Sequence, residues 1–212
     1  RVEDGGIAWK KPYRLPTHSK HQRNSFASST PAADEERVYF LFSAPEAGAL
    51  RALSHDGKEI WSRDLGPCDN KHGDGSSPVV WEDLVFVETS NGWDDNHEKI
   101  PAPKAPSFLA VDKATGKVAW QDASPGDKIL HGQWSSPSLA LVDGAMQVIF
   151  PGGDGWLYAF DARTGEKAWW FNLNPKGATW PKTKNDGIAT PVYHDGRVFM
   201  SAGQDPESGE GM

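Results

Sequence analysis

Residues 152–170, GGDGWLYAFDARTGEKAWW, decide the fold, because copies of this stretch recur along most of the 212-residue chain. Leu157, Ala159 and Asp161 alternate with Tyr158 and Phe160, the period of a β-strand. Asp161, Ala162, Arg163, Thr164 and Gly165 are turn chemistry: an Asp side chain bonds the backbone just ahead of it, and Gly accepts positive φ. Glu166 to Trp169 starts a return strand, so the unit reads as a β-hairpin closed by a tryptophan.

Outward from this hairpin, Ala110, Asp112, Thr115, Gly116 and Trp120 repeat the AxDxxTGxxxW spacing of Ala159, Asp161, Thr164, Gly165 and Trp169. Residues 52–61 give a copy one residue shorter, with Ser54 in place of Asp and Gly57 ahead of Trp61; Gly5 stands in the same relation to Trp9. A second marker lies between the hairpins: Thr30-Pro31, Ser77-Pro78, Ser136-Pro137 and Thr190-Pro191 each precede a strand-like run. A further β run follows at Val38, Val85 and Val198, and at Val148 after a short insertion around Asp143-Gly144. Each repeat therefore holds four strands, A to D, over roughly 50 residues, the pattern of a propeller blade.

The predicted fold is an all-β propeller of four-stranded antiparallel blades, one domain over residues 1–212. Residues 1–10 are expected to give the last strand of a preceding blade, 25–66, 72–122 and 131–172 the full repeats, and 185–212 an incomplete blade. A blade shared between the two ends would lack strand C, so the spacing predicts a fragment of a seven- or eight-bladed propeller. Twenty-two Gly, 16 Pro and 10 Trp suit short strands joined by many turns. No run approaches the ~20 apolar residues of a membrane span. A net charge of −7 argues against a nucleic-acid partner. The single Cys68 excludes an intrachain disulfide and a CxxC site. The chain has no GxSxG, HExxH, P-loop or CxxCH motif.

AxDxxTGxxxW, preceded by Gly152 to Phe160, resembles the tryptophan-docking repeat of the quinoprotein-like (PQQ-like) β-propellers. That family includes pyrroloquinoline quinone (PQQ) dehydrogenases and non-catalytic members such as the bacterial outer-membrane assembly lipoprotein. The resemblance implies that Trp9, Trp61, Trp120 and Trp169 pack between blades, with Asp112, Asp161, Gly116 and Gly165 as structural turn residues. It also implies an exported, periplasmic protein and, in the enzymatic branch, PQQ and Ca²⁺ at the propeller axis. The adjacent cysteines of those dehydrogenases have no match in a chain with Cys68 alone, and their calcium-holding Glu, Asn and Asp have no assignable counterparts.

Antiparallel strands place the A–B and C–D turns on one face and the B–C and D–A connections on the other. The second set is long, spanning 11–24, 65–71, 91–106, 121–130 and 172–185, and long loops on a rigid scaffold are where binding concentrates. At the start of each strand A stand Ser25, Phe26, Ala27; His72, Gly73, Asp74; His131, Gly132, Gln133; and Asn185, Asp186, Gly187, with Trp134 just inside. His72, Asp74, His131, Gln133, Trp134, Asn185 and Asp186 are the candidate ligand residues of a channel mouth; the competing reading is a ring that holds ordered water and caps strands. Asp94, Asp95 and His97 form a candidate metal loop, or else a solvated acidic turn anchored by Trp93. Pro101, Pro103 and Pro106 stiffen the same connection. Two functions follow. One is a non-catalytic propeller scaffold, without an evident cofactor, that binds a protein partner or a small polar ligand on the long-loop face. The other is part of an exported PQQ-dependent oxidoreductase.

Overall fold

The computed structural model describes residues 1–14, 28–44, 47–68, 75–90, 102–129, 132–179 and 186–202. Among them, β1 (Ala32–Ala33), β2 (Arg37–Ala44), β3 (Ala47–Ser54) and β4 (Glu59–Gly66) form the first sheet. The second holds β5 (Val79–Trp81), β6 (Leu84–Glu88), β7 (Phe108–Asp112) and β8 (Val118–Asp122). The third holds β9 (Ser138–Val142), β10 (Ala145–Pro151), β11 (Trp156–Asp161) and β12 (Lys167–Asn172); β13 (Val192–His194) and β14 (Arg197–Phe199) pair alone. Each sheet is an antiparallel meander in chain order, as blades require, and the innermost strands adjoin across blades, β1 with β5 and β9 with β13.

Packing between blades explains why the middle strands carry no polar alternation. All five residues of β6 are buried, because both faces of this strand meet a neighbouring blade. Val85 and Val87 point back to Tyr39, Leu41, Leu50 and Ala52 of the first blade. Leu84 and Phe86 point forward to Val148, Phe150 and Phe160 of the third. The rings of Phe108 and Phe150 stack at 4.6 Å across that second junction.

Every position of the repeated motif has a physical task. Ala52, Ala110 and Ala159 lie opposite Trp61, Trp120 and Trp169 across the C–D ladder, and a β-bulge follows each pair. Asp112 Oδ1 accepts from the backbone N–H (2.7 Å) and the hydroxyl (2.6 Å) of Thr115; Asp161 and Thr164 repeat the arrangement at 2.8 and 3.0 Å. The Thr115 hydroxyl holds Asp112 below the usual carboxylate range, against a smaller push from burial; at Asp161 the leading cause is the Thr164 backbone N–H.

The glycine has a larger task than turning the chain. The indole of Trp61 lies on Gly116 of the next blade, where a Cβ would stand 2.7 Å from Cδ2, and its N–H donates to the Lys113 carbonyl at 2.9 Å. Trp120 sits in the same way on Gly165, with 2.6 Å to a Cβ and 3.0 Å to the Ala162 carbonyl. Trp9 sits on Gly57, with 2.7 Å to a Cβ and 2.7 Å to the His55 carbonyl. Residues 1–14 carry no strand, where the sequence predicts a strand D over 1–10. No strand C stands beside this segment among the described residues, so its backbone has no ladder to join; its tryptophan nevertheless occupies the inter-blade seat.

On the short-turn face, a basic residue of the second and of the third C–D turn reaches the acidic A–B turn of the preceding blade. Lys113 Nζ meets Asp34 Oδ2 at 3.0 Å, and Arg37 returns a bond to the Lys113 carbonyl at 3.0 Å. Arg163 meets Asp83 at 2.6 Å, contacts Glu82, and lies 4.9 Å over the Trp81 ring. Burial pushes the Asp34 acid up, but the backbone N–H of Glu36, Lys113, the backbone N–H of Arg37 and Tyr39 together hold it down at about 2.

Candidate functional site

The starts of strands A converge on the face opposite these turns, and three of the candidate ligand residues lie among the described ones. Gln133 is 1% exposed and joins two blades: its Nε2 donates to the Thr89 carbonyl at 2.8 Å, and its Oε1 accepts from the Gly153 N–H at 3.1 Å. Gly153 permits this approach, since a Cβ there would lie 2.4 Å from the Gly132 carbonyl oxygen. Trp134 is half-buried beside Gly75, its ring over Gly132, where a Cβ would stand 2.9 Å from Cε2. Asp186 is buried, and the next residue, Gly187, donates its N–H to the Gly152 carbonyl at 3.1 Å. His72, Asp74, His131 and Asn185 lie outside the described residues, as do Ser25, Phe26, Ala27 and Gly73 and the loop bearing Asp94, Asp95 and His97.

The mouth also carries polar groups that the repeat pattern does not single out. Glu88 is fully buried at the end of β6, on the side of that strand that faces the third blade. Asp154 is buried in the B–C turn, where Oδ2 accepts from the Tyr158 hydroxyl at 2.7 Å and Oδ1 from the Trp156 N–H at 3.1 Å. Burial, followed by the Asp154 charge, pushes the Tyr158 phenol up, so it stays a donor. The hydroxyls of Ser90 and Ser107 are buried without a hydrogen-bond partner among the described residues. Such groups suit ordered water or a small polar ligand. Among the described residues, no group of three or more His, Cys, Asp and Glu is placed to hold a metal ion.

The Ser/Thr-Pro marker is a stitch between blades at the axis. The Thr30 N–H donates to Ser77 Oγ at 2.9 Å, the Ser77 N–H donates to Ser136 Oγ at 3.0 Å, and the Ser135 hydroxyl donates to the Ala189 carbonyl at 2.9 Å. The sequence marks strand A by this hydroxyl but does not say what it bonds. A clue was present in the extra Ser ahead of the marker, at Ser29, Ser76 and Ser135. Buried Glu88 has no such clue, because it ends a run of apolar residues and has no acidic equivalent at the ends of β2 and β10.

The profile of the family described as outer membrane protein assembly factor BamB matches residues 1–206. The dehydrogenase subunit of the quinone alcohol dehydrogenase of Gluconacetobacter polyoxogenes is 28% identical over 149 residues, which cover 69% of this chain and 18% of that protein. A polyvinylalcohol dehydrogenase of Sphingopyxis is 27% identical over 186 residues, covering 81% of this chain and 27% of the relative. Among solved structures, BamB of Moraxella catarrhalis superposes with a TM-score of 0.59 at 20% identity, over 82% of this chain and 46% of its own. The quinohemoprotein alcohol dehydrogenase ADHIIG of Pseudomonas putida HK5 gives 0.51 at 20% identity, over 79% and 26%. These superpositions are likenesses of fold, and this chain spans less than half of each protein compared.

Proposed function

The chain belongs to the family described as outer membrane protein assembly factor BamB, and from that premise we propose that it is a non-catalytic propeller scaffold, exported to the periplasm, whose long-loop face holds a protein partner or a small polar ligand. The observation that carries this reading is Gln133, a polar side chain of the mouth whose two amide ends both brace backbone across blades. Polar groups so used make a rigid platform rather than a set of reacting groups. The short-turn face is held to itself by Lys113, Arg163 and the docked tryptophans, so this reading puts the partner on the opposite face, for which the sequence offers His72, Asp74, His131, Asn185 and the 91–97 loop as candidates.

Site-specific photo-crosslinking in the native host tests this. Lys104 and Lys128 are exposed on the long-loop side and Lys117 is exposed in a C–D turn. Cross-linkers at Lys104 and Lys128 are expected to give discrete adducts that His72→Ala and His131→Ala weaken, and one at Lys117 none. Adducts from Lys117 alone overturn the assignment of faces.

A second reading, part of a PQQ-dependent oxidoreductase, is favoured by the names of the two curated relatives. Its quinone would need the cysteine pair implied by resemblance, whereas Cys68 is buried with its Cβ against Gly48 of β3, 3.3 Å from where a Cβ of that glycine would be. The described residues therefore do not fit that group, and no step is routed through it. Titration of the native protein with PQQ and Ca²⁺ separates the readings: a stoichiometric quinone chromophore with alcohol-dependent dye reduction would sink the scaffold.

A further inference from the structure

We propose that four positions around each docked tryptophan form a matching code that fixes which blade can sit against which. On one blade they are the residues two and four beyond its tryptophan. On the next they are the residue two before its own tryptophan and the residue before the strand C alanine. Register puts the receiving residue in the same place each time: Glu59, Val118 and Lys167 lie opposite Leu53, Val111 and Phe160, just past the bulge. Only the chemistry changes, from acidic to apolar to basic along the three blades.

What reaches each receiving residue is its complement. Glu59 Oε2 accepts from Arg51 of its own blade at 3.0 Å and, from the segment that carries Trp9, takes the Tyr13 hydroxyl at 2.7 Å and Lys11 Nζ at 3.9 Å. Lys167 Nζ lies over the Tyr158 and Phe160 rings of its own blade at 5.2 and 5.4 Å. From the second blade it meets Ser124 Oγ at 2.8 Å and Asp122 Oδ2 at 3.6 Å, so the signs of the first junction are inverted. Between the first and second blades the equivalent residues are Leu65 and Leu109, which share one core cluster, and Arg63, which bonds the Gly116 carbonyl rather than a side chain. Arg51, Leu109 and Tyr158 thus support an acidic, an apolar and a basic seat. The side chains of Lys11, Glu59, Asp122 and Lys167 are at most 33% exposed, so solvent screens them only in part. The tryptophan and its glycine are the same at all three junctions and cannot tell one neighbour from another. Discrimination falls to the positions that differ, where a wrong neighbour sets like charges together or a charge against leucine.

Backbone hydrogen exchange of β12 in the whole chain reads the junction between the second and third blades. Asp122→Lys and Asp122→Leu both remove the carboxylate, including the bond it accepts from the Ser124 N–H, but only the first sets a cation beside Lys167. Asp122→Lys is expected to speed exchange at Lys167–Asn172 at least about tenfold over Asp122→Leu. In a Lys167→Met background, which keeps an unbranched chain on the Tyr158 and Phe160 rings, the two substitutions are expected to exchange alike. If Asp122→Lys does not fold, a folded Asp122→Lys/Lys167→Met chain supports the code and an unfolded one overturns it. Equal exchange of the two Asp122 variants beside Lys167, or a difference that persists in the Lys167→Met background, would overturn the proposal.

Discussion

Gly116→Ala tests whether the repeated glycine is a seat or only a turn. At φ +71°, any side chain at this position pays the left-handed backbone cost of about 1–2 kcal/mol. The added Cβ would also stand 2.7 Å from Cδ2 and Cε3 of Trp61, inside contact distance of a ring held by its bond to the Lys113 carbonyl, and overpacking of that kind costs about 1–3 kcal/mol. The expected loss is about 2–5 kcal/mol. Gly144→Ala is the control, since Gly144 has φ +83° but nothing within 4 Å of a Cβ, so only the backbone cost applies. Urea unfolding followed by tryptophan fluorescence and far-UV circular dichroism gives both values where the transitions coincide. In a Trp61→Ala background the obstacle is gone, and the cost of Gly116→Ala is expected to fall to that of Gly144→Ala. The reasoning fails if the two glycine variants lose the same stability in the presence of Trp61.

Three further outcomes are expected. Asp34 is held down at about 2 in the folded chain, so its contribution is present above its ordinary value of 3.8 and is lost as pH falls through about 2; in acid titrations, Asp34→Asn is expected to remove about 2 kcal/mol of stability at neutral pH and to flatten the loss between pH 4 and 2. Gln133→Leu leaves the Thr89 carbonyl and the Gly153 N–H without their present partner, for a loss of about 2–4 kcal/mol read by calorimetry; an unchanged melting temperature contradicts its role as a brace. Arg163 is 49% exposed, so Arg163→Ala is expected to cost no more than about 1 kcal/mol and to reduce the salt dependence of stability; a larger loss at high salt would assign the effect to the stacking on Trp81 instead.

The blade order was legible because repetition multiplies weak signals. One Asp-Gly turn is common, but Asp112, Thr115, Gly116 and Trp120 recurring as Asp161, Thr164, Gly165 and Trp169 define a unit, and Ser77-Pro78 with Ser136-Pro137 sets its other boundary. Less legible was which blade each residue serves. Gly116 and Trp120 share one hairpin in the sequence, yet Gly116 receives Trp61 and Trp120 goes on to Gly165. Contacts between repeats have the same period as contacts within them, so spacing alone does not separate the two. Gln133 carried the same ambiguity, since a polar residue at the axis has the same composition whether it faces a ligand or bonds the Thr89 carbonyl.

This division of labour accounts for where binding belongs in the molecule. A change in a C–D turn alters two blades at once, because Lys113 and Gly116 complete the junction begun by Asp34 and Trp61. The D–A and B–C connections start from the opposite ends of the same strands, where Gln133 and the Ser/Thr-Pro hydroxyls tie the blades at the axis and the rest of each connection lies outside those ties. The segment from Pro103 to Pro106 rests on the chain at Thr89, whose hydroxyl donates to the Pro106 carbonyl at 2.9 Å, and lies 3.6 Å from the Cβ position of Gly126. A loop anchored at its base can change length and chemistry without disturbing a tryptophan seat. With blades tied at both ends of their strands, it is the length of the D–A and B–C connections, beyond those ties, that makes their face the one available for recognition.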